Sequence, residues 1–262
     1  MRSLITALAV ALNLVWAGAA AADPMSAAIA ASEALQSAVA AADARSIEPP
    51  RLSIPEQAPL IRAAFNIDVA PPPETSEMGT LLPVCASAVK AMSGYVNFGL
   101  ARLNGEGLDD AVLQRRQIAL VNANSVRFQD EVAFGFRFGL RCFGRLMPAM
   151  ARFARALPAS ERTAVRRDGL DRARHGIVQV YMGALMMSTE KATRDANSDM
   201  VLTEAALQAD AMAEAMKPAD RRTIIDAIDA MPVRSTSETA RTGIAAIRRS
   251  MSRTDCGELC SF

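Results

Sequence analysis

Residues 85–103 read CASAVKAMSGYVNFGLARL, and apolar or small residues recur in them at alternating spacings of four and three. Such spacing brings one residue per turn to the same side of a helix, as in the seam of a helical bundle. The residues on that side are Cys85, Val89, Met92, Val96, Gly99 and Leu103. Asn104-Gly105-Glu106-Gly107 ends the pattern. The sequence therefore predicts a bundle helix that ends near residue 104.

Comparable helical patterns follow almost to the end of the chain. The predicted helices cover residues 109–147, 160–189, 198–216, 218–231 and 235–251. We expect a bend near Asn122-Ala123-Asn124, a disturbed helix end at Pro148, and a capping box at Ser235 with Glu238. No run alternates apolar and polar residues as a strand would. The predicted fold class is all-α: a single bundle of five or six helices over residues 80–252, followed by a cysteine-containing tail over 253–262.

The chain ahead of the bundle, residues 23–79, differs in composition. Residues 25–44 are rich in alanine and weakly amphipathic, which predicts a helix. Residues 45–83 hold eight of the 13 prolines, too many for one continuous helix. One short helix fits at 54–65, where Ser53 and Glu56 match a capping box. We interpret residues 45–80 as a Pro-rich arm that either wraps the domain or stays mobile.

Residues 1–22 have the pattern of a secretory signal peptide. Arg2 supplies the positive charge, the run from Leu4 to Trp16 is apolar, and Ala20-Ala21-Ala22 provides the small residues that a signal peptidase requires. The apolar run is too short to span a bilayer. The sequence therefore predicts a periplasmic or secreted protein, cleaved near Ala22 and Asp23, with no transmembrane span in the mature chain.

Charge and composition narrow the function classes. Removing Arg2 with the signal peptide takes the 29 basic residues to 28, equal to the 28 acidic residues. A net charge of zero gives no general attraction to nucleic acid or to an anionic membrane, and no nucleic-acid-binding motif is present. Cleavage also removes Trp16, the single tryptophan of the chain. We expect no nucleic-acid partner.

The four cysteines all lie in the predicted mature chain. An even count in an oxidising compartment indicates two disulfides. We favour Cys85–Cys142 with Cys256–Cys260 among the three possible pairings. The second pair closes a very short loop, so Gly257 would have to bend the chain there. If a helix continued instead, these two cysteines would have other partners.

The single histidine, His175, excludes sites built from two or three histidine ligands for zinc, copper or iron. HExxH, GxSxG and CxxCH motifs are absent from the sequence, as are Gly-rich phosphate loops. We therefore predict no catalytic triad, metal or cofactor, and interpret His175 as a surface residue. Carboxylate chemistry needs only two acids; Glu33, Glu131 and Glu204 are candidates for a glycan-cleaving enzyme.

The stretch from Val132 to Arg174 carries ten arginines and three acids. Arg137, Arg141 and Arg145 are four residues apart, about 40° from one another around a helix, and form one basic stripe. The functional interpretation is a site for an anionic lipid, another anionic ligand or an acidic protein. The structural interpretation is internal pairing with residues 187–230, where nine acids face five bases, and we favour it.

By elimination, the sequence favours an exported, non-catalytic helical protein that interacts with an unknown envelope protein or has a structural role there. Binding of anionic lipid or another anionic ligand through the arginine stripe is the alternative. A carboxylate-dependent glycan enzyme is the second alternative. Gly135 and Gly139 match GxxxG, and the arginines beside them indicate close packing of helices rather than a membrane span.

Overall fold

A computed structural model describes residues 24–66, 78–230 and 237–255 of the chain. These residues form ten α-helices and one 3₁₀ turn and contain no strand, which confirms the all-α prediction. The predicted signal peptide, part of the Pro-rich arm and the Cys256–Cys260 pair lie outside the described residues.

The ten helices outnumber the predicted five or six because two predicted runs are divided and two further helices precede the bundle. The bounds are α1 Pro24–Ala44, α2 Ala58–Ala64, α3 Met78–Val96, α4 Leu100–Asn104, α5 Asp110–Arg127, α6 Gln129–Ala156, α7 Ala164–Thr189, α8 Asp195–Ala215, α9 Pro218–Ala230 and α10 Glu238–Met251, with the 3₁₀ turn at Ala159–Glu161.

Helix α6 is the centre of the bundle. It packs against α3 on one side and α8 on the other, and α1 covers α3 while α10 covers α8. Helix α7 bridges α6 and α8. The apolar residues of α6 explain this position, because Phe138, Leu140, Leu146 and Met147 are almost completely buried. Their burial removes a large apolar area from water, which is the main favourable contribution to folding.

Glycines let neighbouring helices approach α6 closely. A Cβ at Gly135 would lie 2.7 Å from Met92 Cγ of α3, and one at Gly144 would lie 2.7 Å from Gln208 Cδ of α8. Both distances are shorter than side-chain packing allows. Gly139 is less crowded, with Val89 3.6 Å from a Cβ added there. The close helix packing expected at Gly135 is thus present.

The first predicted bundle helix is divided at Gly99. Its φ of 87° is in the left-handed region that favours glycine, and the chain turns there from α3 into α4. Asn124 is buried, and its Nδ2 donates hydrogen bonds to the carbonyls of Val96 and Phe98 at 3.0 and 2.7 Å. These bonds satisfy carbonyl groups left unpaired where α3 ends.

The second predicted helix is divided at Phe128, four residues beyond the expected bend. Phe128 has φ −106° and ψ 28°, and it separates α5 from α6. The prediction that Pro148 disturbs the helix end is wrong, because α6 continues to Ala156. Met150 and Ala154 beyond the proline are buried, and this packing offsets the hydrogen bond that a proline removes.

The ends of two helices differ from the sequence prediction. The capping box predicted at Ser53 and Glu56 does not form: α2 begins at Ala58, and its N-cap Gln57 makes no side-chain capping bond. The Gln57 amide oxygen instead accepts a hydrogen bond from the Arg51 backbone at 2.8 Å. Helix α10 is capped by the Ser237 hydroxyl, while Ser235 lies outside the described residues.

A disulfide joins α3 to α6 in the middle of the core. It links Cys85 and Cys142, the first of the two pairs favoured from sequence, and both residues are buried. The two cysteines are 57 residues apart in the chain. The bond therefore closes a long loop that contains α4 and α5.

Candidate functional site

The arginine stripe of α6 faces a buried carboxylate of α8. The Arg141 guanidinium donates two hydrogen bonds to Glu204, from Nε at 2.9 Å and Nη2 at 2.7 Å. Gln208 Nε2 donates a third at 2.8 Å, and Arg137 Nε lies 3.9 Å from the same carboxylate. We call these four residues the Glu204 cluster.

The Glu204 cluster depends on the spacing of both helices. Arg137 and Arg141 are one turn apart on α6, and Glu204 and Gln208 are one turn apart on α8, so each pair presents its side chains to the other. Glu204 is only 2% exposed, whereas the two arginines keep a quarter to a third of their side-chain surface. Arg145, the third residue of the stripe, lies one turn further along α6 and is half-buried.

A second pair joins the predicted basic and acidic stretches. Arg174 of α7 is buried, and its guanidinium lies 3.2 Å from Asp220 of α9 and 2.7 Å from Asp171. Arginines of residues 132–174 therefore pair with acids of residues 187–230 at two separate places. Arginines paired in this way connect helices and are not available to a ligand without losing that connection.

The second buried carboxylate, Glu131, fastens the Pro-rich arm to the start of α6. Its Oε1 accepts hydrogen bonds from the Leu52 backbone at 2.7 Å and from Arg51 Nε at 3.3 Å. Glu131 is fully buried, and its Oε2 has no hydrogen-bond partner. The described part of the arm therefore lies against the bundle.

Arg51 and Tyr95 complete this attachment. The Arg51 guanidinium pairs with Glu48 at 2.6 Å and lies 5.1 Å from the centre of the Phe128 ring. The Tyr95 hydroxyl donates to the Pro50 carbonyl at 2.8 Å. Burial, and secondly the negative charge of Glu131, raise the pKa of Tyr95 far above its usual range. The phenol therefore stays protonated and keeps donating this hydrogen bond.

The other candidates from sequence have no buried surroundings. Glu33 is exposed on α1, and His175 is exposed on α7, 3.0 Å from Gln179 Nε2. Within the three described ranges, no group of three or more His, Cys, Asp or Glu side chains is placed to hold a metal ion. The structure brings neither Glu33 nor His175 to the buried carboxylates.

Three of the clefts on the described surface are lined by neither Glu131 nor Glu204. One of about 230 Å³ is apolar except for Arg166, and is lined by Leu82, Met150, Phe153, Arg166, Gly169, Leu170 and Ala173. One of about 480 Å³ lies between α9 and α10, with Arg221, Arg222 and Arg253 in its wall. One of about 470 Å³ lies between α4 and α5, with Arg102, Arg116 and Arg127 in its wall.

The arginines of the two larger clefts are largely paired within the chain. Arg253 pairs with Asp255 at 2.7 Å, and Arg116 pairs with Glu106 at 2.8 Å. Arg221 is almost fully buried, and it donates to the Ala213 and Asp255 carbonyls at 2.9 and 2.7 Å. These three guanidinium groups are therefore already paired within the chain, and Arg221 is buried as well.

Sequence reasoning anticipated the pairing of the arginine stripe but not the role of Glu131. Nothing near Glu131 in sequence points to Arg51 and Leu52, which lie 80 and 79 residues away. No described helix combines the length and apolar character needed to cross a membrane. The chain matches no protein-family model, no curated protein and no solved structure.

Proposed function

We propose that this chain is an exported, non-catalytic helical protein that acts through its surface on partners in the cell envelope. The observation that carries this proposal is the use of Glu131 and Glu204, the two buried carboxylates of the described residues. Glu204 joins α6 to α8, and Glu131 joins the arm to α6. Glu204 and the Oε1 atom of Glu131 accept hydrogen bonds within the chain.

A catalytic carboxylate has to come within hydrogen-bond distance of a substrate. Glu131 and Glu204 are no more than 2% exposed, and neither lines one of the three clefts. Most glycan hydrolases also use two carboxylates that flank one bond. The placement of these residues gives the glycan-enzyme alternative little support and favours a structural role for both.

Anion binding by Arg137, Arg141 and Arg145 is the other candidate function. Arg141 would have to leave two hydrogen bonds to a buried carboxylate in order to bind an anionic ligand. Removing one partner of such a pair is strongly unfavourable. The geometry favours the internal role of this stripe, so we place the interaction surface elsewhere on the molecule.

Export is supported by the sequence of residues 1–22 and is compatible with the Cys85–Cys142 disulfide, which is typical of oxidising compartments. The test is expression of the full chain in a bacterium with a secretory pathway, followed by N-terminal sequencing. We expect a periplasmic product that begins at Asp23. An intact N-terminus on a cytoplasmic product would contradict export.

The non-catalytic part of the proposal is tested with peptidoglycan. Purified mature protein is incubated with it, and released fragments are measured by chromatography against a known glycan hydrolase. We expect no release above buffer. Release that disappears in Glu131→Gln or Glu204→Gln, with the variant still folded, would establish carboxylate catalysis and overturn the proposal.

A further inference from the structure

We propose that the turn between α6 and α7 is a surface that binds anionic phospholipid bilayers from the side, without crossing them. The surface, called the α6–α7 tip, consists of residues 150–173 together with Leu82 of α3. This inference rests on the proposed function, because it names the partner of a non-catalytic envelope protein. It differs from the arginine stripe, whose Arg137 and Arg141 lie in the first half of α6 and face Glu204.

The α6–α7 tip has a surplus of positive charge. Its arginines are Arg152, Arg155, Arg162, Arg166, Arg167 and Arg172, and its acids are Glu161, Asp168 and Asp171. Glu161 pairs with Arg166 of the tip itself, and Asp171 pairs with Arg174 and Lys217 outside it, so the six arginines still exceed the three acids. Arg167 and Arg172 are exposed on α7. Anionic headgroups match such a surface in charge.

The direction of the helices adds to the positive potential. Leu82 near the start of α3, Arg166 near the start of α7 and Phe153 near the end of α6 line the same cleft, so two helix N-termini and one C-terminus lie at this end of the bundle. The first turns of both helices contain no acid. Arg166 and Arg167 stand early in α7, where positive charge is disfavoured by the helix dipole. A bound anion would relieve this unfavourable arrangement.

Apolar side chains are exposed beside these arginines. Val165 is 76% exposed and Leu82 is 41% exposed. Between α3, α6 and α7 lies the apolar cleft of about 230 Å³, whose walls include Met150, Phe153 and Leu170. Exposed apolar residues with a rim of charge mark a site of interaction.

The combination of charge and apolar surface favours a bilayer over a free anion. On the α7 helix Val165 and Arg172 are seven residues apart and therefore share one side. A dissolved phosphate would contact the arginine alone, whereas a bilayer surface offers headgroups to Arg172 and the acyl boundary to Val165. Since no described helix is long and apolar enough to span a membrane, contact at the interface is the mode that fits.

The experiment measures cosedimentation of the mature protein with vesicles of phosphatidylglycerol and phosphatidylcholine in equal amounts, against vesicles of phosphatidylcholine alone. We expect binding to the anionic vesicles to weaken as the salt concentration is raised, because salt screens the attraction between the arginines and the headgroups. Reversing two charges, Arg167→Glu with Arg172→Glu, should weaken the partition coefficient about tenfold or more. Replacing the exposed apolar side chain, Val165→Ser, should weaken it severalfold.

The matched control reverses two exposed arginines elsewhere, Arg62→Glu on α2 with Arg115→Glu on α5, and so changes net charge equally. We expect its binding to stay within about twofold of the wild type, since charges beyond the Debye length from the bilayer contribute little. Far-UV circular dichroism confirms that each variant is folded.

Equal binding to neutral and anionic vesicles, no vesicle binding, or equal weakening by the control would overturn the inference. The peptidoglycan result does not depend on this surface, so the two proposals fail separately.

Discussion

We expect Glu204 to be the charged residue of the α6–α8 interface whose substitution lowers the free energy of unfolding most. A double-mutant cycle with Arg141 measures how much of that loss comes from the ion pair between the two residues. Glu204→Gln removes the charge that two Arg141 hydrogen bonds and one Gln208 bond hold in place. Breaking a buried ion pair costs about 3–5 kcal/mol. Arg141 keeps 25% of its side-chain surface exposed and can regain water, so we expect about 3 kcal/mol, at the lower end of that range.

The reciprocal change, Arg141→Met, leaves Glu204 buried with Arg137 at 3.9 Å as its remaining cation. We expect a similar loss of about 3 kcal/mol, because a buried carboxylate without its main partner keeps its desolvation penalty. The double variant should lose less than the sum, with a coupling of about 2 kcal/mol, since the second substitution no longer strands a charge. The exposed pair Arg116–Glu106 is the matched control, where the coupling should be about 1 kcal/mol or less.

Urea unfolding of the mature protein, followed by far-UV circular dichroism, gives the four free energies of unfolding. Each single variant should also lower the melting temperature by about 6–12 °C for a chain of this length. If the two single losses add to the double loss within about 0.5 kcal/mol, the ion pair is not an energetic unit. The structural account of the arginine stripe would then be wrong.

Three further predictions use the same unfolding measurement. Replacing both Cys85 and Cys142 by alanine should cost about 4 kcal/mol, because the bond closes a loop of 57 residues; a loss below 1 kcal/mol would contradict this. Gly144→Ala should destabilise by about 1–2 kcal/mol through displacement of Gln208, whereas Gly176→Ala, with nothing within 4 Å, should stabilise slightly. Burial alone would raise the pKa of Asp130, but hydrogen bonds from Arg194 and Asn197 outweigh it and lower that pKa below 3.8. The contribution of Asp130 to the free energy of unfolding is therefore present above about pH 4 and lost as pH falls. Asp130→Asn should make the free energy of unfolding depend less on pH below about pH 4.

The helices could be predicted from sequence because they depend on periodicity. The features that depend on contacts between residues far apart in the chain were missed. The spacing in 85–103 and the apolar run around Phe138 indicate helices because each helix buries one face. The true division at Phe128 was missed, since Asn124 resembles a local turn residue while its amide actually binds carbonyls of residues 96 and 98.

The Glu131 attachment could not be predicted for the same reason. Its partners come from a Pro-rich segment whose path over the bundle has no periodic signal. The partners of the arginine stripe were easier to predict, because a basic stretch of sequence and an acidic stretch of sequence attract each other by charge alone. Charge complementarity, however, does not identify which of the nine acids is buried, because burial depends on how α8 packs against α6.

The N-terminal segment is attached to the bundle at several points that reinforce one another. Helix α1 packs on α3, Leu52 is held by Glu131, and Phe65 contacts the Phe138 ring at 6.3 Å. Because these points belong to one short length of chain, each keeps the others at a high effective concentration, as in multivalent binding. Detaching one point lets it rebind before the neighbouring points are lost, so the segment is released only when several attachments are weakened together.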